Sequence, residues 1–179
     1  RGIILAGGKG SRLYPTTKVI SKQLVPVYDK PMVYYPISTL ISSGIRDLLI
    51  ISSPEQLPNF SKLLGDGSQW GINISYAPQI NMDGIAQSFV IGKRFIGKDR
   101  ICLILGDNLI YSEGSHTVLS DALSNDWEAT IFTTVVDNPE DFGIVELDAN
   151  GIPIGIEEKP TKPKSNLAVP GLYVYDSSV

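Results

Sequence analysis

The sequence predicts an α/β fold: a mostly parallel sheet flanked by helices, with hairpin strands added in its later part. Three observations carry that expectation. Short runs of Ile, Leu and Val recur along the chain with longer helix-like segments between them, as in β-α-β units. The first run passes directly into a glycine-rich turn, Gly7-Gly8-Lys9-Gly10-Ser11-Arg12. Much later, Ala149-Asn150-Gly151 separates two apolar runs where an Asn-Gly hairpin turn is expected.

The expected strands are Gly2 to Ala6, Asp47 to Ile51, Asn73 to Ala77, Ile101 to Leu105 and Ala129 to Val136. None alternates strictly between apolar and polar residues, which suits strands buried on both faces. Pro31 to Ser43 reads as a helix with proline in its first turn and Gly44 as its stop. Pro54 to Leu64 ends at Gly65 in the same way, and Ser115 to Leu123 is a further helix. Asp83 to Phe95 opens on an acidic residue suited to an N-cap. After the polar turn Asp137 to Asp141, the segments Gly143 to Asp148 and Ile152 to Glu158 form the hairpin strands, and Gly171 to Tyr175 is one more strand.

With 179 residues the chain can bury a core of its own, and residues 1–179 are expected to form one domain. A net charge of −4 and scattered lysines and arginines argue against a nucleic-acid backbone as partner. No apolar stretch is long enough to span a bilayer and no leader precedes the first strand, so the expected location is cytoplasmic. The single cysteine, Cys102, lies within an apolar strand and reads as a small core residue. A core strand at the second residue and another just before the end suggest a fragment of a longer chain.

In open α/β sheets ligands bind beyond the carboxyl ends of the strands, so the residues following each strand carry the chemical information. The glycine turn after the first strand offers backbone N–H groups to an anion, and Arg12 adds a planar fork of donors suited to phosphate. Its spacing matches neither a P-loop nor a dinucleotide fingerprint. Lys22, on the next loop, would help neutralise a triphosphate. Gly106-Asp107-Asn108 puts a carboxylate at the tip of the fourth strand, where it would hold one Mg²⁺ alongside substrate phosphates, or merely cap a turn. Glu158 and Lys159 end a strand as a carboxylate for sugar hydroxyls and an ammonium for phosphate, or as a plain surface turn. Lys159, Lys162 and Lys164 form the only local concentration of cations and read as a solvated loop. His116 lacks partners at metal-ligand spacing and reads as a surface or capping residue.

Six segments taken together resemble the sugar-phosphate nucleotidylyltransferases. They are Leu5 to Pro15, Ser21 to Met32, Leu64 to Gly71, Asp83 to Gln87, Gly106 to Asn108 and Glu157 to Pro160. Ser21-Lys22-Gln23-Leu24 and Tyr28-Asp29-Lys30-Pro31-Met32 point to the thymidylyl branch. The resemblance implies a Rossmann-like fold of the nucleotide-diphospho-sugar transferase type and transfer of a thymidylyl group from dTTP to glucose 1-phosphate. It implies that Leu5, Gly7, Gly8, Gly10, Ser11, Arg12, Lys22, Gln23, Gln79 and Gly84 bind the nucleotide, with Gln23 and Gln79 at the thymine. It implies that Asp107 is the metal ligand and that Asn108, Gly143, Glu158, Lys159, Val169 and Tyr173 bind the sugar phosphate. Arg12, Lys22 and Asp107 become the expected catalytic residues, Mg²⁺ the cofactor, and a homo-tetramer the expected assembly of the full-length protein. Met82 and Pro170 depart from the family's usual proline and threonine. The resemblance also marks this chain as an N-terminal fragment, missing a second metal-binding aspartate. The alternatives are a nucleotide-binding module without turnover and, less well matched, a dinucleotide-dependent oxidoreductase.

Overall fold

The computed structural model describes residues 1–179 except Lys9, Met82, Ser112 and Glu113, with the side chains of Ser115 and His116 also left out. The readings of Lys9 within the glycine turn, of Met82 and of His116 therefore lie outside the described residues. In chain order the strands and helices are β1 (Gly2–Leu5), β2 (Pro26–Val27), β3 (Lys30–Pro31), α1 (Tyr34–Ser42), β4 (Asp47–Ser52) and α2 (Leu57–Leu64). There follow β5 (Asn73–Pro78), α3 (Gln87–Ile96), β6 (Ile101–Leu105), α4 (Ser115–Ser124), β7 (Ala129–Ile131) and β8 (Thr134–Val135). The last four are β9 (Gly143–Leu147), β10 (Pro153–Glu158), β11 (Leu167–Ala168) and β12 (Leu172–Tyr175).

A six-stranded sheet runs in the order β5-β4-β1-β6-β12-β7. The pairs β5-β4, β4-β1 and β1-β6 are parallel, and β12 is antiparallel to both β6 and β7. Alternate side chains of the central strands feed two cores. Ile4, Leu48, Ile50, Cys102 and Ile104 pack with Ile37 and Leu40 of α1, Phe60 and Leu64 of α2, and Leu119 of α4. Ile3, Leu49, Ile51, Ile101 and Leu103 face the other way, toward Phe89 and Ile96 of α3. Helices thus cover both faces, the environment that run-on apolar strands require. A smaller sheet, β10-β9-β11-β8, is wholly antiparallel, and its β9-β10 hairpin turns at Asn150-Gly151. Gly151 takes φ 79°, and the Asp148 carboxylate accepts from the backbone N–H of Asn150 and Ile152, both at 2.8 Å. No helix among the described residues is long and apolar enough to cross a membrane.

Four expectations need correction. The run Ala129 to Val136 is two strands in different sheets, because the chain leaves the large sheet at Phe132, which packs against its core. β5 is an edge strand with Asn73 and Ser75 exposed, so it is not buried on both faces. The helix predicted from Asp83 begins only at Gln87, with Ala86 at its N-cap. Gly84 just before it has φ 90°, incompatible with helix, and Asp83 instead bonds the side chain of Gln87. Pro31 is not helical either: it pairs with Pro26 across the short β2-β3 ribbon, and α1 starts at Tyr34.

Candidate functional site

Strand order locates the cleft. From β1 the chain builds outward to β4 and β5, then crosses to the opposite side of β1 to form β6. At such a reversal the loops leaving the two central strands diverge and leave a crevice. Leu5 and Leu105 are register partners at its floor, and the glycine turn and Gly106-Asp107-Asn108 are the two diverging loops.

Two adjoining cavities occupy this crevice. The first, of about 250 Å³, is lined by Leu5, Gly7, Gly8, Gln23, Gln79 and Gly84 together with Ile85, Leu105 and Asp107. The second, of about 590 Å³, is lined by Arg12, Asp107, Asn108, Gly143, Glu158, Val169 and Tyr173, with Ile85, Leu105 and Phe142 among others. Ile85, Leu105 and Asp107 belong to both, so the two spaces meet at the strand tip that carries the carboxylate. The residues expected at a base and those expected at a sugar phosphate thus fall on separate sides of Asp107.

The walls of the first cavity are fixed by close packing. A Cβ on Gly7 would stand 2.2 Å from Gln79 Oε1, so glycine is required there by contact with a side chain rather than by its dihedral angles. Gly10, by contrast, has φ 60° and starts the short 3₁₀ turn Ser11–Leu13 that carries Arg12. Gln23 and Gln79 are both buried, at 3% exposure each. Gln23 Oε1 accepts from the Ser21 hydroxyl at 2.5 Å, while Gln79 Nε2 donates to Gln87 Oε1 at 2.8 Å and to Gly84 O at 3.5 Å.

Asp107 is not alone at its strand tip. Its Oδ2 lies 2.8 Å from Lys22 Nζ, and both side chains are about one-third exposed. Asn108 donates from Nδ2 to Pro170 O, tying the β6 tip to the segment that enters β12. Glu158 ends β10 with its Oε2 3.0 Å from where a Gly143 Cβ would stand, so that glycine makes room for the carboxylate. Burial, with Tyr175 and the Glu158 carboxylate adding to it, holds the Tyr173 phenol above its ordinary pKa. Tyr173 is therefore a neutral hydroxyl at physiological pH, able to donate or accept.

Some expected residues stand apart. Arg12 is exposed and lines the second cavity rather than the first, and it has no hydrogen-bond or ion-pair partner among the described residues. Gly10, Ser11 and Lys22 line neither cavity, although Lys22 pairs with Asp107, which lines both. Lys159 stands outside both, its side chain 60% exposed and 4.0 Å from Glu158. Its backbone takes φ 47° and its N–H donates to Phe142 O, fixing the end of β10. Sequence reasoning missed Ile85, which has no chemical signal to mark it, and Gln87, which the family motif contains as a residue without a role.

Asp107 presents carboxylate oxygen, the donor type that hard divalent cations take, and its Oδ1 makes no bond to a described residue. Among the described residues there is no group of three or more His, Cys, Asp or Glu side chains able to hold a metal unaided. A cation here would need ligands from bound phosphates as well, which is how Mg²⁺ is commonly held.

All of residues 1–179 match the family model described as nucleotidyl transferase. The glucose-1-phosphate thymidylyltransferase of Neisseria meningitidis is 55% identical over 177 residues, which cover 99% of this chain and 62% of that protein. The enzyme of the same name from Mycobacterium tuberculosis H37Rv is 56% identical over 179 residues, covering 100% and 62%. A Bacillus anthracis structure described as a glucose-1-phosphate thymidylyltransferase in complex with sucrose superposes with a TM-score of 0.92 at 42% identity, covering 99% of this chain and 71% of that one. UDP-glucose pyrophosphorylase of Acinetobacter baumannii shares the fold, with a TM-score of 0.81 at 21% identity over 99% of this chain and 74% of that one. This chain spans about 60% of the length of the curated relatives it matches.

Proposed function

The chain belongs to the nucleotidyl transferase family, and we propose that the protein transfers a thymidylyl group from dTTP to glucose 1-phosphate, giving dTDP-glucose and pyrophosphate. The observation that carries the reading is the pair of cavities that meet at Asp107, one walled by glycines and two glutamines and the other by Glu158, Asn108 and Tyr173. The names of relatives about 55% identical supply the base and the sugar. Residues 1–179 act in this reading as one nucleotidyltransferase domain.

A phosphate oxygen of the sugar 1-phosphate attacks the α-phosphorus of dTTP in line. The P–O bond to the β-phosphate breaks and pyrophosphate departs with that electron pair. The nucleophile is already an anion, so no general base is needed. Gln23 and Gln79 hold the base, and Leu5 and Ile85 cover its apolar faces. The glycine turn admits the triphosphate close to its backbone, and Glu158 and Tyr173 orient the sugar hydroxyls. Arg12 and Lys22 draw two repelling anions together and offset the charge that grows in the transition state. A divalent cation held by Asp107 and the phosphates, Mg²⁺ in this reading, would supply further charge neutralisation. Lys22 exchanges its ion pair with Asp107 for the phosphates as nucleotide and cation enter.

Pyrophosphate release tests the proposal. With Mg²⁺ and glucose 1-phosphate, the protein at the full length of its relatives is expected to release pyrophosphate with dTTP well above dCTP, dATP or dGTP. Binding of dTTP with no release under any combination would replace the proposal with a nucleotide-binding role.

A further inference from the structure

The carboxamide of Gln79 is held in one orientation by a chain of groups whose chemistry leaves no choice. The Asp83 carboxylate only accepts, so the Gln87 atom 3.2 Å from its Oδ2 must be the nitrogen, Nε2. Gln87 Oε1 is then the atom turned toward Gln79, and the Gln79 atom 2.8 Å from it must be Nε2. The carbonyl of Gly84, which also only accepts, lies 3.5 Å from that same nitrogen and requires the same assignment. Both acceptors claim the Nε2 protons. Gln79 Oε1 is left against Gly7, in the wall of the first cavity, with no hydrogen bond from a described residue.

We propose that Gln87, anchored by Asp83, is a positioning residue that fixes Gln79 with its oxygen toward the nucleotide base and so selects a pyrimidine whose ring nitrogen carries a proton. The inference rests on the reading that a base occupies the first cavity. A fixed acceptor favours the imide N–H of thymine or uracil. It repels the lone pair that cytosine presents at the same ring position, and a buried amide free to turn over would lose that discrimination.

Equilibrium binding of dTTP and dCTP to the protein, with thermal unfolding recorded for each variant, tests this. Gln87→Leu keeps bulk and removes the lock, and the ratio of dTTP to dCTP affinity is expected to fall by about tenfold. The double variant Asp83→Asn with Gln87→Glu reverses the direction of the anchoring bond while keeping an acceptor for Gln79 Nε2, and should keep the ratio within about twofold of wild type. Asp83→Ala, at an exposed position, should move the ratio in the same direction as Gln87→Leu by a smaller factor. Equal losses for both nucleotides in Gln87→Leu, or an unchanged ratio in both Gln87→Leu and Asp83→Ala, would overturn the positioning role. Gln79→Ala separates the two levels: if it leaves dTTP affinity and the ratio intact, the base does not lie in this cavity and both readings fall.

Discussion

Arg12 and Lys22 are two cations on neighbouring loops in opposite states. Lys22 is committed to Asp107 at 2.8 Å, whereas Arg12 lines the second cavity with no hydrogen-bond or ion-pair partner among the described residues. In the proposed reaction, a lysine that must change partners would contribute to nucleotide binding only the difference between two ion pairs. A guanidinium without such a partner gives its whole interaction to whatever charge appears beside it, and in the proposed reaction the charge that grows in the transition state would lie where the cavities meet. Arg12→Ala should therefore lower kcat by about a hundredfold, close to 3 kcal/mol, with little change in dTTP Kd. Comparable losses in kcat and Kd would make Arg12 a binding residue. The pairing of Lys22 with Asp107 was not legible in the sequence. The two residues lie on separate loops, and only the β1-β6 crossover brings them together. The carboxylate at a strand tip and the cation after a glycine turn were each visible, but as separate phosphate and metal ligands rather than as partners.

At the level of elements, the start of β12 governs the β6 tip that carries Asp107. Gly171 has φ 72°, and a Cβ there would stand 2.5 Å from Leu105 Cδ1 and 2.8 Å from Asn108 Nδ2. Gly171→Ala cannot keep both this backbone conformation and the bond from Asn108 to Pro170 O. The β6 tip is then displaced, carrying Asp107 with it. The substitution should cost about 1–3 kcal/mol of stability and raise the KM for the sugar phosphate more than that for dTTP. An unchanged KM ratio, measured by pyrophosphate release, would show that the tip tolerates the intrusion. This coupling explains what sequence periodicity could and could not deliver. Ile101 to Leu105 was readable as a strand because apolar burial on both faces leaves a continuous run. Ala129 to Val136 misled because Phe132 is as apolar as a strand residue while packing at the point where the chain leaves the sheet. Asp83 has the side chain of an N-cap, yet Gly84 turns the backbone away and frees that carboxylate for Gln87.

On the scale of the whole molecule, the two cores meet the cleft from opposite faces of one sheet, and Cys102 lies in the middle of that sheet. Complete burial pushes its thiol from 9.0 up to about 12. Above pH 9 the unfolded chain loses the thiol proton while the folded chain keeps it, so the unfolded state binds fewer protons and stability falls as pH rises. The decline should approach roughly 1.4 kcal/mol per pH unit until the folded thiol also ionises. Tyr76, held up to about 12 mainly by burial, adds a decline of the same sign above the ordinary tyrosine pKa near 10. Urea denaturation between pH 8 and 10 should therefore show a steeper loss for the natural chain than for Cys102→Ala. Equal slopes would remove Cys102 from the account. Below pH 9 the same burial keeps the thiol protonated and unreactive toward alkylating reagents in the native state.

The insertion of β12 between β6 and β7 has a consequence for how the chain is made. β6 is complete when Leu105 leaves the ribosome, yet the strand that covers one of its edges lies about seventy residues further on. At translation speeds of about 5–20 residues per second, that edge waits about 3–14 s for its partner. Ile101-Cys102-Leu103-Ile104-Leu105 bears no charge and no proline, the composition most prone to pair with a foreign strand. During those seconds β6 presents an open edge, whereas in the finished molecule Ile101 to Ile104 are buried and Leu105 is half-buried.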